Sequence, residues 1–182
     1  YYKNDEKGST VNKYNNYGYF GDYAPVSRDL APFYAAAKNI DINVNICGNP
    51  SNLFAQTDKI TIYPRLQLNE LKPIEDKTNV LVFLCNRKGG QIPGKIYQYS
   101  ATYKTILFIL DGTDEDKKVL KSYFEQFNRY IFCENTVEDI ERAIKLIENN
   151  DFGNVKNEPI DEFNPAKTIM NCLLYTSPSP RD

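Results

Sequence analysis

The fold is decided by an apolar run, Val80-Leu81-Val82-Phe83-Leu84-Cys85, and by the stretch after it, Lys88-Gly89-Gly90-Gln91-Ile92-Pro93-Gly94-Lys95-Ile96-Tyr97-Gln98-Tyr99. A short, continuous apolar run is typical of a strand that is buried on both faces of a parallel sheet. Two glycines and Pro93 then precede a helical pattern, and proline suits the first position of a helix, where its missing N–H is not needed. These residues therefore predict a strand, a glycine loop and a helix over 93–103.

The predicted loop and helix start are suited to an anion. Free backbone amides and the positive end of the helix dipole point outward from such a loop. Lys95 adds a cation to the first turn, where the dipole alone would favour an acid, and a bound phosphate would explain it. However, the stretch is neither the GxGxxG fingerprint nor a Walker loop, and many glycine loops only turn the chain. From these residues alone, both interpretations stay open.

Length and composition favour one globular domain. The chain has 182 residues, a net charge of −2 and 25% charged residues, which fits a single domain with a hydrophobic core. A charge so close to zero gives no electrostatic reason to expect nucleic acid as a partner. No apolar run is long enough to cross a membrane, and no signal peptide opens the sequence.

The chain lacks histidine, which excludes several kinds of site within it. Without histidine there is no Ser-His-Asp triad, no Cys-His dyad and no histidine-ligated metal. The cysteines are Cys47, Cys85, Cys133 and Cys172, and no two form a CxxC pair, so we expect no metal site. The first three end apolar or alternating runs, as buried free thiols do, which favours a reducing, cytoplasmic compartment.

Strand patterns alternate with helix patterns along most of the chain. Thr113 and Thr136 are suited to cap the last two helices, the second with Asp139 in a capping-box arrangement. This alternation predicts an α/β fold, a Rossmann-like parallel sheet with helices on both faces. Strands are expected over 17–21, 42–47, 60–63, 80–85, 105–110 and 130–133, and helices over 30–39, 66–77, 93–103, 114–127 and 137–149. In the fourth helix we expect Val119, Leu120, Tyr123, Phe124 and Phe127 to face inward.

Ligands of such sheets bind at the carboxyl ends of the strands. Arg28 and Lys95 are both cations at predicted helix starts on this edge, where the helix dipole disfavours them. Two such cations indicate a polyanion such as a diphosphate. The other residues expected near the edge are Gly21, Asn49, Arg65, Gly89, Gly90, Gln91, Ile92, Pro93, Gly94 and Asn135.

Part of the sequence resembles a known protein family. The segment over 91–99, followed by Lys104-Thr105-Ile106-Leu107, is similar to the "IPGK-x-YEY…K-P-I-L" segment of bacterial glycosyltransferases with the GT-B fold. The resemblance extends over about 17–147 and includes Arg28-Asp29-Leu30, Cys47-Gly48-Asn49 and Asn128-Arg129. It implies the C-terminal, donor-binding half of such an enzyme, whose N-terminal half binds the acceptor.

The resemblance also implies roles for individual residues. Gln98 stands where many relatives carry a glutamate that holds the ribose, so this residue departs from the family pattern. The glycine-containing loop, with Gly21, Gly89, Gly90, Gln91 and Pro93, is expected near the donor. The donor diphosphate is expected on Arg28, Ile92, Gly94 and Lys95, and the base on Tyr63, Arg65 and Leu66.

The resemblance further implies a function for the whole enzyme. It would transfer a sugar from a nucleotide diphosphate to a glycan or lipid-linked acceptor in cell-surface polysaccharide synthesis, at the inner face of the membrane. No metal or cofactor is expected, and no catalytic residue is assigned, because a general base would come from the other half. A sugar-nucleotide epimerase is an alternative and would use Asp22, Asp111 or Glu134 as acid or base. A receiver-like signalling domain is the non-enzymatic alternative.

The ends of the chain are expected to lie outside the domain. We interpret 1–16 as a linker or the end of a missing N-terminal domain, 17–150 as the nucleotide-sugar-binding domain and 151–171 as a C-terminal extension. Residues 172–182 resemble translated sequencing adapter and are excluded from the reasoning about the fold.

Overall fold

A computed structural model describes residues 15–88 and 92–163. Its strands are β1 (Asn16–Phe20), β2 (Asn43–Cys47), β3 (Ile60–Tyr63), β4 (Val80–Leu84), β5 (Thr105–Leu110) and β6 (Ile131–Glu134). Its helices are α1 (Ala31–Ile40), α2 (Leu68–Asp76), α3 (Lys95–Ser100), α4 (Asp114–Glu125) and α5 (Val137–Glu148), followed by a 3₁₀ turn at Asp161–Phe163. The expectations for 1–14, for Gly89, Gly90 and Gln91, and for the tail from 164 onward fall outside the described residues.

The six strands form one parallel sheet in the order β3-β2-β1-β4-β5-β6. The order reverses between β1 and β4, which pair in register from Tyr17 opposite Val80. A parallel sheet whose strand order reverses in this way opens a crevice at the carboxyl ends of the two central strands. The predicted Rossmann-like α/β class is confirmed.

Helices cover both faces of the sheet, as predicted. One core contains α1 and α5, with Phe33, Ile140 and Ile144 packed on the sheet. The other contains α3 and α4, with Ile96 and Phe124 on the opposite face. Because both faces are covered, every residue of β4 and β5 is buried, which explains their continuous apolar sequences.

Two local predictions about α4 and α5 are wrong. Val119 and Tyr123 of α4 are 64% and 44% exposed, whereas Leu120 and Phe124 are buried. This helix packs near the edge strand β6, so its inward stripe is narrower than its apolar residues suggest. Before α5, Thr136 caps the helix as expected, but the Asp139 carboxylate accepts from the Glu134 amide instead of completing a capping box.

The segment after α5 returns along the amino ends of the strands. The Lys156 amide donates to the Asn128 carbonyl at 2.7 Å, and the Ile160 amide donates to the Ser100 carbonyl at 2.8 Å. Phe163 then packs against Tyr97 and Phe127, with ring centroids 4.9 and 5.0 Å apart. The start of the expected C-terminal extension is thus bonded to the sheet domain.

The capping residue of α4 provides a first test of the local structure. The Thr113 hydroxyl accepts from the Asp116 amide at 3.1 Å, which satisfies one free N–H of the helix start. We expect Thr113→Ala to lower the free energy of unfolding by about 1 kcal/mol, the usual value for a lost cap, and Thr113→Ser to restore it. Urea denaturation of both variants measures this difference, and equal stability of the two would contradict the capping role.

Candidate functional site

The candidate site lies on the carboxyl edge of the sheet, above the crevice between β1 and β4. Gly21 directly follows β1, and Cys85 and Asn86 follow β4. The Arg87 amide donates to the Ser27 carbonyl at 2.8 Å, which joins the loop after β4 to the loop after β1. The crevice is therefore bordered by two loops that are tied to each other.

Arg28 lies across this crevice. Its Nε donates to Oδ1 of Asn86 at 2.6 Å, and its Nη1 donates to the Asp22 carbonyl at 3.4 Å. A guanidinium carries five N–H donors, so donors remain for a bound anion. Arg28 thus lies at the carboxyl edge, but α1 begins at Ala31, so Arg28 precedes the helix instead of opening it. Its role in binding a diphosphate stays a prediction.

Arg65 is held on the same edge by an acidic partner. It follows β3, and its guanidinium pairs with the Asp22 carboxylate. The same carboxylate accepts from the Asn49 amide at 3.2 Å, so the ends of β1, β2 and β3 are joined. Tyr63 and Leu66, expected with Arg65 near a base, are half-buried and pack against the hydrophobic core.

Lys95 lies at the start of α3 and turns toward β1. Its Nζ donates to the Phe20 carbonyl at 2.7 Å, lies 3.6 Å from Glu75 Oε1 and is 5.5 Å from the centroid of the Phe20 ring. Burial lowers the pKa of Lys95, and the nearby Glu75 carboxylate partly opposes this shift. Contact with a phosphate would use the remaining N–H or displace Glu75, so this role stays a prediction.

The helix start differs from its prediction in detail. The helix α3 begins at Lys95 with Gly94 as its N-cap, so Pro93 lies outside the helix and not at its first position. The helix also ends at Ser100 and not near Tyr103, and residues 101–104 connect it to β5. A Cβ atom on Gly94 would meet nothing within 4 Å, so packing does not require glycine there. The half-buried Ile92 packs against the core, and Gln98 is exposed.

Another polar network lies over β4, β5 and β6, and sequence reasoning missed most of it. Arg87 pairs with Asp29 at 3.5 Å and with Asp111 at 3.4 Å. The side-chain amide of Asn135 donates to the Asp111 carboxylate and to the Asp29 backbone carbonyl, both at 2.9 Å. Asn135 was expected on this edge, but Arg87 and Asn86 were not, because polar residues after a strand are common in loops. Their only sequence signal is their place directly after β4.

The three carboxylates considered for acid or base chemistry all have cationic partners. Asp22 pairs with Arg65, Asp111 with Arg87, and Glu134 with Lys117 at 2.7 Å. Each carboxylate already has an oxygen in contact with a cationic side chain, which leaves fewer of its oxygens free to exchange a proton with a substrate. The arrangement thus resembles an anion-binding edge more than an acid–base pair.

Two shallow cavities open near this edge. One of about 190 Å³ lies beside Arg28 and is lined mainly by apolar side chains, among them Tyr23, Leu30, Leu53 and Phe54. Another of about 220 Å³ lies between α4 and β6 and is lined by Asp114, Lys117, Lys118, Lys121 and Glu134, with Leu110 below. Both are smaller than the roughly 300–1,000 Å³ typical of pockets for drug-sized ligands.

Three cysteines are buried free thiols, as predicted. Burial raises the pKa of Cys47 and Cys85 to about 12, so neither serves as a nucleophile at neutral pH. Among residues 15–88 and 92–163, no group of three His, Cys, Asp or Glu side chains could hold a metal ion. In the same part of the chain, no helix is both long and apolar enough to span a membrane.

Comparison with known proteins supports the fold. No protein-family model and no curated protein sequence matches the chain. A solved UDP-N-acetylglucosamine 2-epimerase aligns with a TM-score of 0.51 and 12% identity, over 94% of this chain and 45% of its own. The glycosyltransferase SnogD from Streptomyces nogalater aligns with a TM-score of 0.45 and 13% identity, over 97% of this chain and 48% of its own. The chain spans less than half of each, and the epimerase likeness is one of fold alone.

Proposed function

We propose that this chain is the donor-binding half of a GT-B glycosyltransferase. The observation that carries the proposal is the position of two guanidinium groups, Arg28 and Arg65, on the carboxyl edge of a parallel sheet where the strand order reverses. Ligands of such sheets bind at this edge, and a nucleotide diphosphate needs a cation for its phosphates and hydrogen-bond donors for its base there. The sequence resemblance to GT-B glycosyltransferases supports the same proposal.

In this proposal the chain binds a nucleotide-diphosphate sugar and stabilises the leaving diphosphate. Arg28 contacts the diphosphate from the loop after β1, while Lys95 and the backbone of Ile92 and Gly94 contact it from the start of α3. Fixed donors of this kind stabilise a developing negative charge without reorganising during the reaction. Gln98 accepts from the ribose, one turn along α3 from Lys95.

Partners of the proposed enzyme follow from the same reasoning. The acceptor is a glycan or lipid-linked sugar, bound by a second α/β domain, and transfer takes place in the cytoplasm at the inner face of the membrane. The product would serve cell-surface polysaccharide synthesis. No cofactor other than the donor itself enters the proposal.

An epimerase acting on sugar nucleotides is less well supported. Such an enzyme needs an acid and a base beside the sugar, whereas Asp22, Asp111 and Glu134 are each paired with a cation. A receiver-like domain is also less well supported, because Asp111 is engaged by Arg87 and Asn135 and no acidic cluster follows β1. Incubating the whole enzyme with a panel of nucleotide sugars separates transfer, epimerisation and inactivity.

Arg28→Ala tests the proposal on this chain directly. We expect UDP or GDP to bind the unmodified chain and the substitution to weaken binding about 10- to 100-fold, the range for a lost charge-assisted hydrogen bond. Isothermal calorimetry measures both affinities. Arg142→Ala is the matched control, because Arg142 is 71% exposed and its ion pair with Asp139 lies within α5.

Two results would contradict the proposal. An unmodified chain that binds neither nucleotide would remove the donor site altogether. Equal affinities for Arg28→Ala and Arg142→Ala would show that the ligand binds away from the crevice.

A further inference from the structure

Asp22 joins three strand ends of the candidate site. Its Oδ1 accepts from the Asn49 amide at 3.2 Å, and its other carboxylate oxygen pairs with Arg65. Its backbone carbonyl accepts from the Tyr19 hydroxyl at 2.9 Å and from Nη1 of Arg28 at 3.4 Å. One residue therefore contacts both guanidinium groups assigned above to the donor.

We propose that Asp22 is a positioning residue that holds Arg65 over the nucleoside side of the donor, an inference that rests on the proposed function. Arg65 is 68% exposed and lies after β3, which is an edge strand of the sheet. A long side chain in that position loses rotamer freedom when a ligand binds, unless a partner already restricts it. The Asp22 carboxylate is that partner, and it is itself fixed by the Asn49 amide.

The contribution of this ion pair lies in binding and not in folding. Asp22 and Arg65 are 47% and 68% exposed, and ion pairs between exposed side chains stabilise a fold by only about 0–1 kcal/mol. A carboxylate on an anion-binding edge also repels a phosphate by itself. Removing its charge should therefore weaken binding of a ligand that has a base for Arg65 to contact, and should not weaken binding of a ligand without one.

Calorimetry on the full 182-residue chain tests this inference with UDP, GDP and inorganic pyrophosphate as probes. Asp22→Asn keeps an oxygen for the Asn49 amide and removes the charge that holds Arg65. We expect it to weaken nucleotide binding about fivefold to tenfold while pyrophosphate affinity is unchanged or higher. Arg65→Ala should cause a similar nucleotide loss, and the double variant should be no weaker than Arg65→Ala alone.

Asp76→Asn is the matched control, since Asp76 is an exposed aspartate paired with Lys72 at 3.1 Å on α2. Additive losses of nucleotide affinity from Asp22→Asn and Arg65→Ala would overturn the inference but leave donor binding intact. Unchanged nucleotide affinity in Asp22→Asn would do the same. Equal losses for nucleotide and pyrophosphate, with a lower melting temperature than Asp76→Asn, would show that Asp22 only supports the fold. A chain that binds none of the nucleotides would overturn the proposed function and this inference together.

Discussion

Arg129→Met is expected to lower the free energy of unfolding by about 3 kcal/mol, because it removes the donors for three acceptors. Nη2 donates to the Thr102 carbonyl at 2.8 Å and to the Lys104 carbonyl at 2.5 Å, and Nη1 donates to Oδ1 of Asn157 at 3.2 Å. Arg129 is only 1% exposed, so water does not easily replace these donors. Methionine fills much of the volume but donates nothing.

The cost of burying the charge on Arg129 reduces the loss of stability expected from Arg129→Met but does not cancel it. Burial lowers the pKa of Arg129 to about 10, so the side chain is still charged at neutral pH. Among the described residues it forms no ion pair with a carboxylate, so its desolvation is balanced only by neutral acceptors. Methionine relieves that desolvation, which is why we expect about 3 kcal/mol rather than a larger loss.

Urea denaturation measures the effect of Arg129→Met, with Arg142→Met as the same substitution at a 71% exposed arginine. The control should change the stability by no more than about 0.5 kcal/mol. Asn157→Ala, made in the unmodified chain and in Arg129→Met, tests whether Arg129 binds the segment after α5 to the sheet. If it does, the two losses of stability should not add, because the two residues are coupled. Stability of Arg129→Met equal to that of the control would contradict this account.

The sheet could be predicted from sequence because its signals are local. The apolar strands β4 and β5 and the Thr113 cap each depend on residues within one element, and every strand was found within one residue of its predicted start. The helix α3 was harder, because a six-residue helix offers little periodicity. Likewise, the width of the buried stripe on α4 depends on where the sheet ends, and the spacing of apolar residues along a helix gives no information about that.

The candidate site was only partly predictable for a different reason. Arg28 and Arg65 could be placed on the carboxyl edge, because each follows a recognisable strand and the edge follows from the fold. Their partners are 58 and 43 residues away in sequence, Asn86 for Arg28 and Asp22 for Arg65. Pairings over that distance depend on the strand order, which the alternation of strands and helices does not specify.

Only glycine fits at position 48, at the end of β2, because the backbone there lies directly against the backbone of Gly21. A Cβ atom on Gly48 would lie 1.9 Å from the Gly21 carbonyl oxygen and 2.6 Å from its carbon, far inside any van der Waals contact. The atoms it would meet belong to the backbone, so no side-chain rotation relieves the clash. The Gly21 amide donates to the Cys47 carbonyl at 2.9 Å, so separating the two strand ends also breaks their hydrogen bond.

We expect Gly48→Ala to lower the free energy of unfolding by about 3 kcal/mol or more, at the upper end of the range for overpacking. Because Gly21 precedes Asp22, the same shift would move the contacts to Arg28 and Arg65, and nucleotide affinity should fall more than tenfold in any folded fraction. Gly94→Ala is the control for stability, since its Cβ meets nothing within 4 Å and alanine adopts its φ of −56° and ψ of −15° without strain, so the change should be neutral or slightly stabilising. Chemical denaturation and calorimetry on both variants measure the two effects. Equal stability of the two variants would mean that the loops after β1 and β2 separate at little cost. That result would contradict the claim that the proposed donor site lies on a rigid edge of the sheet.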